Sequence, residues 1–475
     1  MGIKIVLVNL GYRKLMYPDA TPPMGIMYLA SFLRERKKDV EVKIINQRLE
    51  NYTPEELVKV IYDIKPNIVG ISSSTLFAYI IPIISDTLKQ LLPDTWIVLG
   101  GPHASAIKKQ AFIDCENLDI VVPGEGEIAF HQVVESYPQK KDLCKIPGII
   151  WKDANGEIIE NAGGIPIISD LDHLPFPAYD LIDLPRYWKI RSMTLVPRRS
   201  YASLVSSRGC PYHCIWCHSI FGKKIRFTSA ERIVEEIKWL NKKYDIVDFE
   251  FLDDNFNFRQ QRVFEFAELV KKNDLKLKLS FPNAIRADLV TEEVVESLYE
   301  AGTFTCSLAL ETGSPRLQKF TCKNLDIPKF IKTTEMMDKK GIYIHGFCML
   351  GFPTETEEEL QQTIDVAANS KLHTATFFTV IPFPGTPMYE WVKQNKPEKF
   401  KEVDYRDVCF VSAKVNLTDI PDDIFFGYQR KANIQFFFNL NRIFRVLKTY
   451  PKPLSLVIYV PTYIARLTKG IVSPS

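Results

Sequence analysis

Short apolar bursts recur at regular intervals along the first part of the chain. Residues 4–8, 40–46, 68–72, 96–99 and 120–122 are rich in Val, Ile and Leu and read as strands. Between and after them, residues 25–36, 53–64, 79–92, 104–112 and 127–137 carry apolar positions at helical spacing. Strand and helix in strict alternation predict a parallel, doubly wound sheet, whose ligands sit beyond the carboxyl ends of the strands. Small residues collect at those ends. The third strand runs into Ser72, Ser73, Ser74, Thr75 and Leu76, the fourth into Gly100, Gly101, Pro102 and His103, and the fifth into Gly124, Glu125, Gly126 and Glu127. Short βα loops often hold glycine for their turns alone. Three such loops on one rim favour a binding face, because glycine admits close backbone approach and helix N-termini attract anionic groups.

The alternation resumes after a Pro- and Asp-rich stretch, residues 145–199, which reads as a connector. Strands are predicted at 201–206, 248–252, 277–281, 304–310, 343–350 and 376–380, with helices at 230–244, 260–272, 292–301, 328–340 and 357–369. Six βα repeats imply a barrel-like sheet with its chemistry at the carboxyl ends of the strands. This gives an order of 1–144, connector 145–199, 200–390, and a helical region 391–475.

The chain has 475 residues, 46% apolar and 25% charged, ordinary for a globular protein of two or three domains. A net charge of +3 gives no argument for nucleic acid. Nine cysteines, some clustered, fit a reducing cytoplasm rather than a disulfide framework. The opening residues read as a first strand rather than a secretory signal, and no apolar run is long enough to span a bilayer. Only the tail is unbalanced: residues 424–475 hold eight Lys or Arg and no Asp or Glu, interleaved with phenylalanines. Such a tail packs as a terminal helical cap, or contacts anionic lipid headgroups or an anionic substrate.

The most specific signal is Cys210-Pro211-Tyr212-His213-Cys214-Ile215-Trp216-Cys217, a Cys-x3-Cys-x2-Cys loop after the first strand of the second repeat set. Three thiolates can hold a [4Fe–4S] cluster and leave one iron open to a small molecule. The same cysteines with His213 or His218 would also make a tetrahedral Cys3His zinc set. Cys306, Cys322, Cys348 and Cys409 are scattered and read as small buried hydrophobes, with Cys306 or Cys348 on barrel strands the alternatives for facing a substrate.

The triad and the strand ends that follow it resemble the radical SAM superfamily. The second strand ends in Asp253-Asp254-Asn255, in the position of the family's segment that binds S-adenosylmethionine (SAM). The third ends in Asn283-Ala284-Ile285-Arg286-Ala287-Asp288, and the fourth carries Glu311-Thr312-Gly313-Ser314 where the family has Glu-Ser-Gly-Ser. The fifth ends in Gly351-Phe352-Pro353-Thr354-Glu355-Thr356, departing from the usual Gly-Leu-Pro-Gly-Glu-Thr at Thr354. The resemblance implies cluster ligation by Cys210, Cys214 and Cys217, and SAM contacts from Trp216, Asp253, Asp254, Asn255, Arg286 and Glu311. The first repeat set resembles the cobalamin-binding domain found ahead of the barrel in one subgroup. It implies corrinoid contacts from Ser72, Ser73, Ser74, Thr75, Leu76, Gly100, Gly101, Pro102, His103, Gly124, Glu125 and Gly126. The Asp-x-His-x-x-Gly motif that supplies a histidine to cobalt elsewhere is missing after the first strand, where Leu10-Gly11-Tyr12-Arg13-Lys14 stands.

The implied fold is α/β: a flavodoxin/Rossmann-like cobalamin-binding domain, a (βα)6 partial TIM barrel and a helical C-terminal region. The implied activity is methylation of an unactivated carbon of a small-molecule or lipid-like substrate, by way of a 5′-deoxyadenosyl radical and methylcobalamin. Relatives with this layout are also implicated in cyclisation, ring contraction and oxygen insertion. The partners expected are a small-molecule or lipid-linked substrate and a flavodoxin- or ferredoxin-type one-electron reductant, with peripheral membrane contact through 424–475 as a further possibility. A tRNA methylthiotransferase would want a second cysteine triad near the start, and the first cysteine is Cys115.

Overall fold

The computed structural model describes residues 2–13, 19–194, 196, 199–406, 408 and 415–459, and the chain divides into two compact units. The first comprises the chain up to Tyr187 with His218–Phe227 and Phe383–Thr386, and the second comprises Trp188–Cys217, Thr228–Pro382 and the chain from Pro387.

The first unit is built on a sheet of β1 (Ile3–Asn9), β2 (Val40–Asn46), β3 (Ile68–Ser72), β4 (Trp96–Gly100), β5 (Ile120–Val121), β6 (Ile150–Lys152) and β7 (Ile158–Glu160). Its order is β2-β1-β3-β4-β5-β6-β7, the first five parallel, which is the flavodoxin-like order with an antiparallel edge. Side chains alternate between two cores. Val6 and Val8 pack with Ile71 and Leu99 on one face, Ile5 and Leu7 with Val98 and Phe130 on the other. Burial on both faces is why β1, β3 and β4 read as nearly unbroken apolar runs, while the edge strand β2 alternates through exposed Glu41 and Lys43.

Two features differ from the sequence expectation. The stretch 145–199, expected as a connector, contributes β6 and β7 to the sheet. Their hairpin is set by Asn155-Gly156, with Asp153 Oδ1 accepting from the backbone N–H of Asn155 and Glu157, both at 2.8 Å. Buried Asn161 fixes it to the body, accepting from Trp151 Nε1 at 3.0 Å and donating to the carbonyls of Leu143 and Ile146. The helix expected at 104–112 starts earlier, at Gly101–Ile107, since Pro102 needs no donor in a first turn. It then breaks at Lys108 (φ +48°) before resuming as Ala111–Asp114.

The second unit carries β8 (Tyr201–Leu204), β9 (Asp248–Phe251), β10 (Lys278–Ile285), β11 (Thr303–Glu311), β12 (Tyr343–Leu350) and β13 (Thr374–Thr379). All are parallel, each pairs with its neighbour in sequence, and β8 and β13 remain edges, so the barrel is open. The helices begin where capping side chains meet their first-turn N–H groups: Ser229, Thr291, Asp326 and Thr356 each accept in this way. A six-residue helix, Pro315–Phe320, capped by Ser314, sits between β11 and the following long helix and is too short to show a helical period in the sequence.

Polar residues fill part of the interior. Arg199 donates to Asp248 Oδ2 at 2.8 Å and to Ser280 Oγ at 3.2 Å, while Glu250 accepts from Thr194 and Ser203, each at 3.0 Å. The β10–β11 and β11–β12 ladders lose register between Phe281 and Ile285 and between Ala309 and Glu311, near the strands' carboxyl ends. Ala284 (φ +76°) and Glu311 (φ +62°) adopt left-handed backbone there, strain of a kind that clusters at functional rims. The unit ends in helices Asp422–Phe437 and Leu440–Thr449 and the 3-10 turn Pro453–Tyr459. Cys409 and residues 460–475 lie outside the described residues.

Candidate cofactor sites

Beyond β8 the chain passes Ser206 and Ser207, turns at Gly209 (φ +88°) and enters the cysteine loop. Cys210 and Cys214 are half-buried, Cys217 is exposed, and none forms a disulfide. The loop is braced from behind: Ile215 N–H donates to Thr321 O at 3.1 Å, and Met388 N–H to Ile215 O at 2.9 Å. Trp216 lies edge-on to Phe352, ring centroids 5.4 Å apart, within the apolar cluster of Leu317, Val380 and Met388.

The electrostatics of the thiols suit a metal cluster. Although Cys217 presents surface to solvent, the protein packed around its thiol, then Asp254, then the other two thiols push it up to about 12. Burial likewise raises Cys214, with Lys323 acting in the opposite direction. Three thiolates gathered on one loop carry negative charge that a bound cation would take up. Among the described residues no three His, Cys, Asp or Glu side chains are gathered as ligands of one metal ion, the triad alone and the triad with a histidine alike.

Adjacent residues at the end of β9 have different fates. Asp253 is buried and turned inward, accepting from Ser206 N–H at 3.1 Å, Ser206 Oγ at 2.8 Å and Ser207 Oγ at 2.5 Å. Its carboxylate therefore braces the entry to the cysteine loop. Asn255 is buried with Oδ1 lacking a hydrogen-bond partner. A buried orphan acceptor is uncommon, and this one suits a ligand donor at the SAM position. Asp254 is half-buried beside the Cys217 thiol.

Arg286 is also committed to protein. It chelates Asp288 at 2.8 and 3.0 Å, donates to the carbonyls of Lys323 and Asn324, and lies 3.7 Å over the ring of Tyr212, between the first two cysteines. These contacts position the cysteine loop. Glu311 is buried at the strained end of β11, where burial raises its carboxyl against the opposing pull of Lys323 Nζ at 3.4 Å. Lys323, near both Glu311 and the thiols, escapes the sequence reading: it lies in a turn between Cys322 (φ +55°) and Asn324 (φ +50°), and no spacing marks it. Cys306 and Cys348 are buried, and burial raises both thiols strongly, so neither presents itself to a substrate.

Glu355 holds the turn on which Trp216 rests. Its Oε2 accepts from Gly351 N–H at 2.6 Å and Phe352 N–H at 3.0 Å, and burial pushes its carboxyl from 4.5 to about 8. At neutral pH the folded state retains a proton that the unfolded chain has lost. This contribution to stability falls as pH rises from the ordinary carboxyl value through about 8. Glu355→Gln is expected to lie within about 1 kcal/mol of the parent near pH 4, to remove that part of the slope, and so to be the more stable protein at pH 7 by about 3 kcal/mol. Melting temperature against pH for both proteins checks this; parallel curves would contradict it.

In the first unit the three loops expected to hold the corrinoid are adjacent at the carboxyl edge of β3, β4 and β5 and tied to one another. His103 N–H donates to Ser73 O at 2.9 Å, His103 Nδ1 lies 3.2 Å from Thr75 Oγ1, and Ser105 Oγ bridges Gly101 O and Gly124 N–H, both at 2.8 Å. Gly101 (φ +82°) is required, because a Cβ there would meet Ser72 Oγ at 2.5 Å. Burial lowers His103 to about 4, so the imidazole is neutral and serves the loop. Glu125 is buried against the Arg226 guanidinium and accepts from Ile168 N–H at 3.3 Å, so its carboxylate organises the fold of the rim. Leu76 and Phe77 pack on the core from the turn after β3. The rim is thus made of small, mostly half-buried residues, with His103 held in the loop and the Glu125 carboxylate paired.

Residues 204–367 match the Radical SAM superfamily, and residues 17–134 match the B12 binding domain. An uncharacterized methyltransferase of Pyrococcus horikoshii is 31% identical over 418 residues, covering 88% of each chain. The cytidylyl-2-hydroxyethylphosphonate methyltransferase of Streptomyces wedmorensis is 28% identical over 430 residues, 80% of this chain and 79% of that one. Among solved structures, the radical SAM methyltransferase TsrM from Kitasatospora setae aligns with a TM-score of 0.65 at 19% identity, covering 83% of this chain and 75% of the other. The cobalamin-dependent radical enzyme OxsB aligns at 0.63 and 21%, covering 84% and 56%. The chain therefore belongs to the radical SAM enzymes that carry a cobalamin-binding domain, whose cofactors are a [4Fe–4S] cluster, SAM and cobalamin. Within that family it stands with the methyltransferases.

Proposed function

We propose that the protein transfers a methyl group to an unactivated carbon of a small-molecule or lipid-like substrate. The observation that carries this reading is the 31% identity to a methyltransferase across 88% of both chains. When bound, the cofactors supply a hydrogen-abstracting radical and the methyl group. The protein's own part is to place and shield them. Cys210, Cys214 and Cys217 hold the cluster, and Asn255 Oδ1 and Glu311 offer acceptors to a SAM ammonium. Trp216 and Phe352 cover the loop from one side.

The inner face of the barrel supports this chemistry. Gly346 faces Leu372 on the helix side, so alternation along β12 turns His345, Phe347 and Met349 inward. Phe347 meets Phe378 of β13 with centroids 5.5 Å apart, and both rings, like Met349, are half-buried. His345 is fixed by Thr374 at 2.8 Å and Thr376 at 3.1 Å, which removes it as a free base. Apolar walls suit a C–H bond that offers nothing to hydrogen-bond.

A second reading, ring closure without methyl transfer, draws on similarity to the anaerobic magnesium-protoporphyrin IX monomethyl ester cyclase of Rubrivivax gelatinosus, 23% identical over 89% of this chain. Anaerobic turnover of cell-extract fractions with methyl-deuterated SAM separates the two. Methyl transfer predicts label in a new product together with 5′-deoxyadenosine. A product that loses hydrogen and carries no label would favour the cyclase reading.

A further inference from the structure

Helix Leu440–Thr449 is mounted the wrong way round for a core helix. Its arginines face the barrel, beside Val446, which packs with Tyr343 and Tyr450. Arg442, 2% exposed, donates to Leu372 O at 3.0 Å and Ala368 O at 2.7 Å, reaches Phe436 O as well, and lies 3.7 Å over the Phe436 ring. Arg445, one turn on, leans toward Asp338 at 3.9 Å. The Ala368 carbonyl lies in the last turn of helix Glu357–Asn369 and the Phe436 carbonyl in that of helix Asp422–Phe437, where a cation satisfies acceptors that have no partner within the helix. The arrangement fixes the rotation of the helix about its axis.

The opposite side is apolar and open. Leu440, Ile443, Phe444 and Leu447 recur at the three- and four-residue spacing of one helical face, and Phe438 and Leu454 flank it at either end. Leu440 is 84% exposed, Phe438 73% and Phe444 69%. Lys448 and Lys452 are exposed beside this stripe, and Lys431 is exposed on the preceding helix. From residue 424 to the end the chain has eight basic residues and no acidic one. Among the described residues no helix is long and apolar enough to cross a membrane.

We infer that this face is a membrane-surface dock, inserting Phe438, Leu440, Ile443, Phe444 and Leu447 among the acyl chains of a bilayer whose anionic headgroups pair with the surrounding lysines. Charge complementarity selects this occupant. An apolar stripe flanked by exposed lysines is the pattern of an interfacial helix on anionic lipid. The helix lies on the surface rather than spanning it, and the buried arginine couples it rigidly to the barrel unit.

Flotation of the full reconstituted chain with vesicles tests this. It is expected to float with phosphatidylcholine vesicles containing phosphatidylglycerol, and roughly tenfold less with phosphatidylcholine alone or at high salt. The variant Leu440→Glu with Phe444→Glu is expected to lose flotation while its melting temperature and cluster content stay at parental values. Three results would each overturn the inference: a parent that stays in the load with both vesicles, a double variant that still floats, or flotation gained only after deleting residues 460–475. Light scattering provides the fourth, a parental dimer that the double variant splits, which would assign the face to a second copy of the chain.

Discussion

Cys217→Ala is expected to abolish 5′-deoxyadenosine formation, by about a thousandfold or more, while leaving corrinoid binding intact. The three thiols lie on one short loop held from behind by backbone bonds from Thr321 and Met388, so the loop keeps its path when one sulfur is lost. With one ligand gone, two thiolates remain for the cluster. The corrinoid rim is made by other strands, in the other compact unit, and contains none of these cysteines. Iron content, the visible spectrum of bound corrinoid and product formation, measured on one anaerobic preparation, check the expectation together. Wild-type turnover by the variant would show that Cys217 is not a ligand.

Asp253→Ala is expected to destabilise the barrel unit by about 3 kcal/mol, because it leaves Ser206 N–H and the Ser206 and Ser207 hydroxyls without their buried acceptor and removes the carboxylate that acts on the buried Arg262 charge. Arg262 donates to Ser206 O at 2.9 Å, Ser206 Oγ at 3.0 Å and Phe256 O at 3.0 Å, so the cation stays in place after the carboxylate is gone. Burial raises the Asp253 carboxyl, and Arg262 leads the influences that lower it. The melting transition should fall by roughly 10 °C. Because Ser206 and Ser207 lead directly into the cysteine loop, iron incorporation should fall with it. A stable variant with full iron content would contradict the positioning role.

These two residues show what could be read in advance. The triad is legible because cluster ligation needs a fixed residue type at short separations within one loop. The strands are legible because burial on both faces leaves no polar positions to confuse the pattern: Ile5, Val6, Leu7 and Val8 are all buried. The fate of Asp253 beside Asn255 is not legible, since past the end of a strand the alternation that assigns a side chain to a face stops. Long-range pairs are likewise hidden. Glu125 with Arg226 and Arg199 with Asp248 are joined only by folding. Lys323 sits in a turn with no period to reveal it. The β6–β7 hairpin did carry a signal, Asn155-Gly156 between short apolar runs, which the proline-rich surroundings obscured. The inverted helix at 440–449 was visible as basic and aromatic composition, but which side faced the barrel depended on Arg442 finding the carbonyls at 367–372.

The most direct test of the account is anaerobic reconstitution with iron, sulfide and hydroxocobalamin, followed by SAM and a reductant, with bound corrinoid and 5′-deoxyadenosine measured on the same sample. The account predicts that both are present and that the nucleoside disappears in Cys210→Ala. Stoichiometric zinc in place of iron, with neither corrinoid nor 5′-deoxyadenosine, would contradict it.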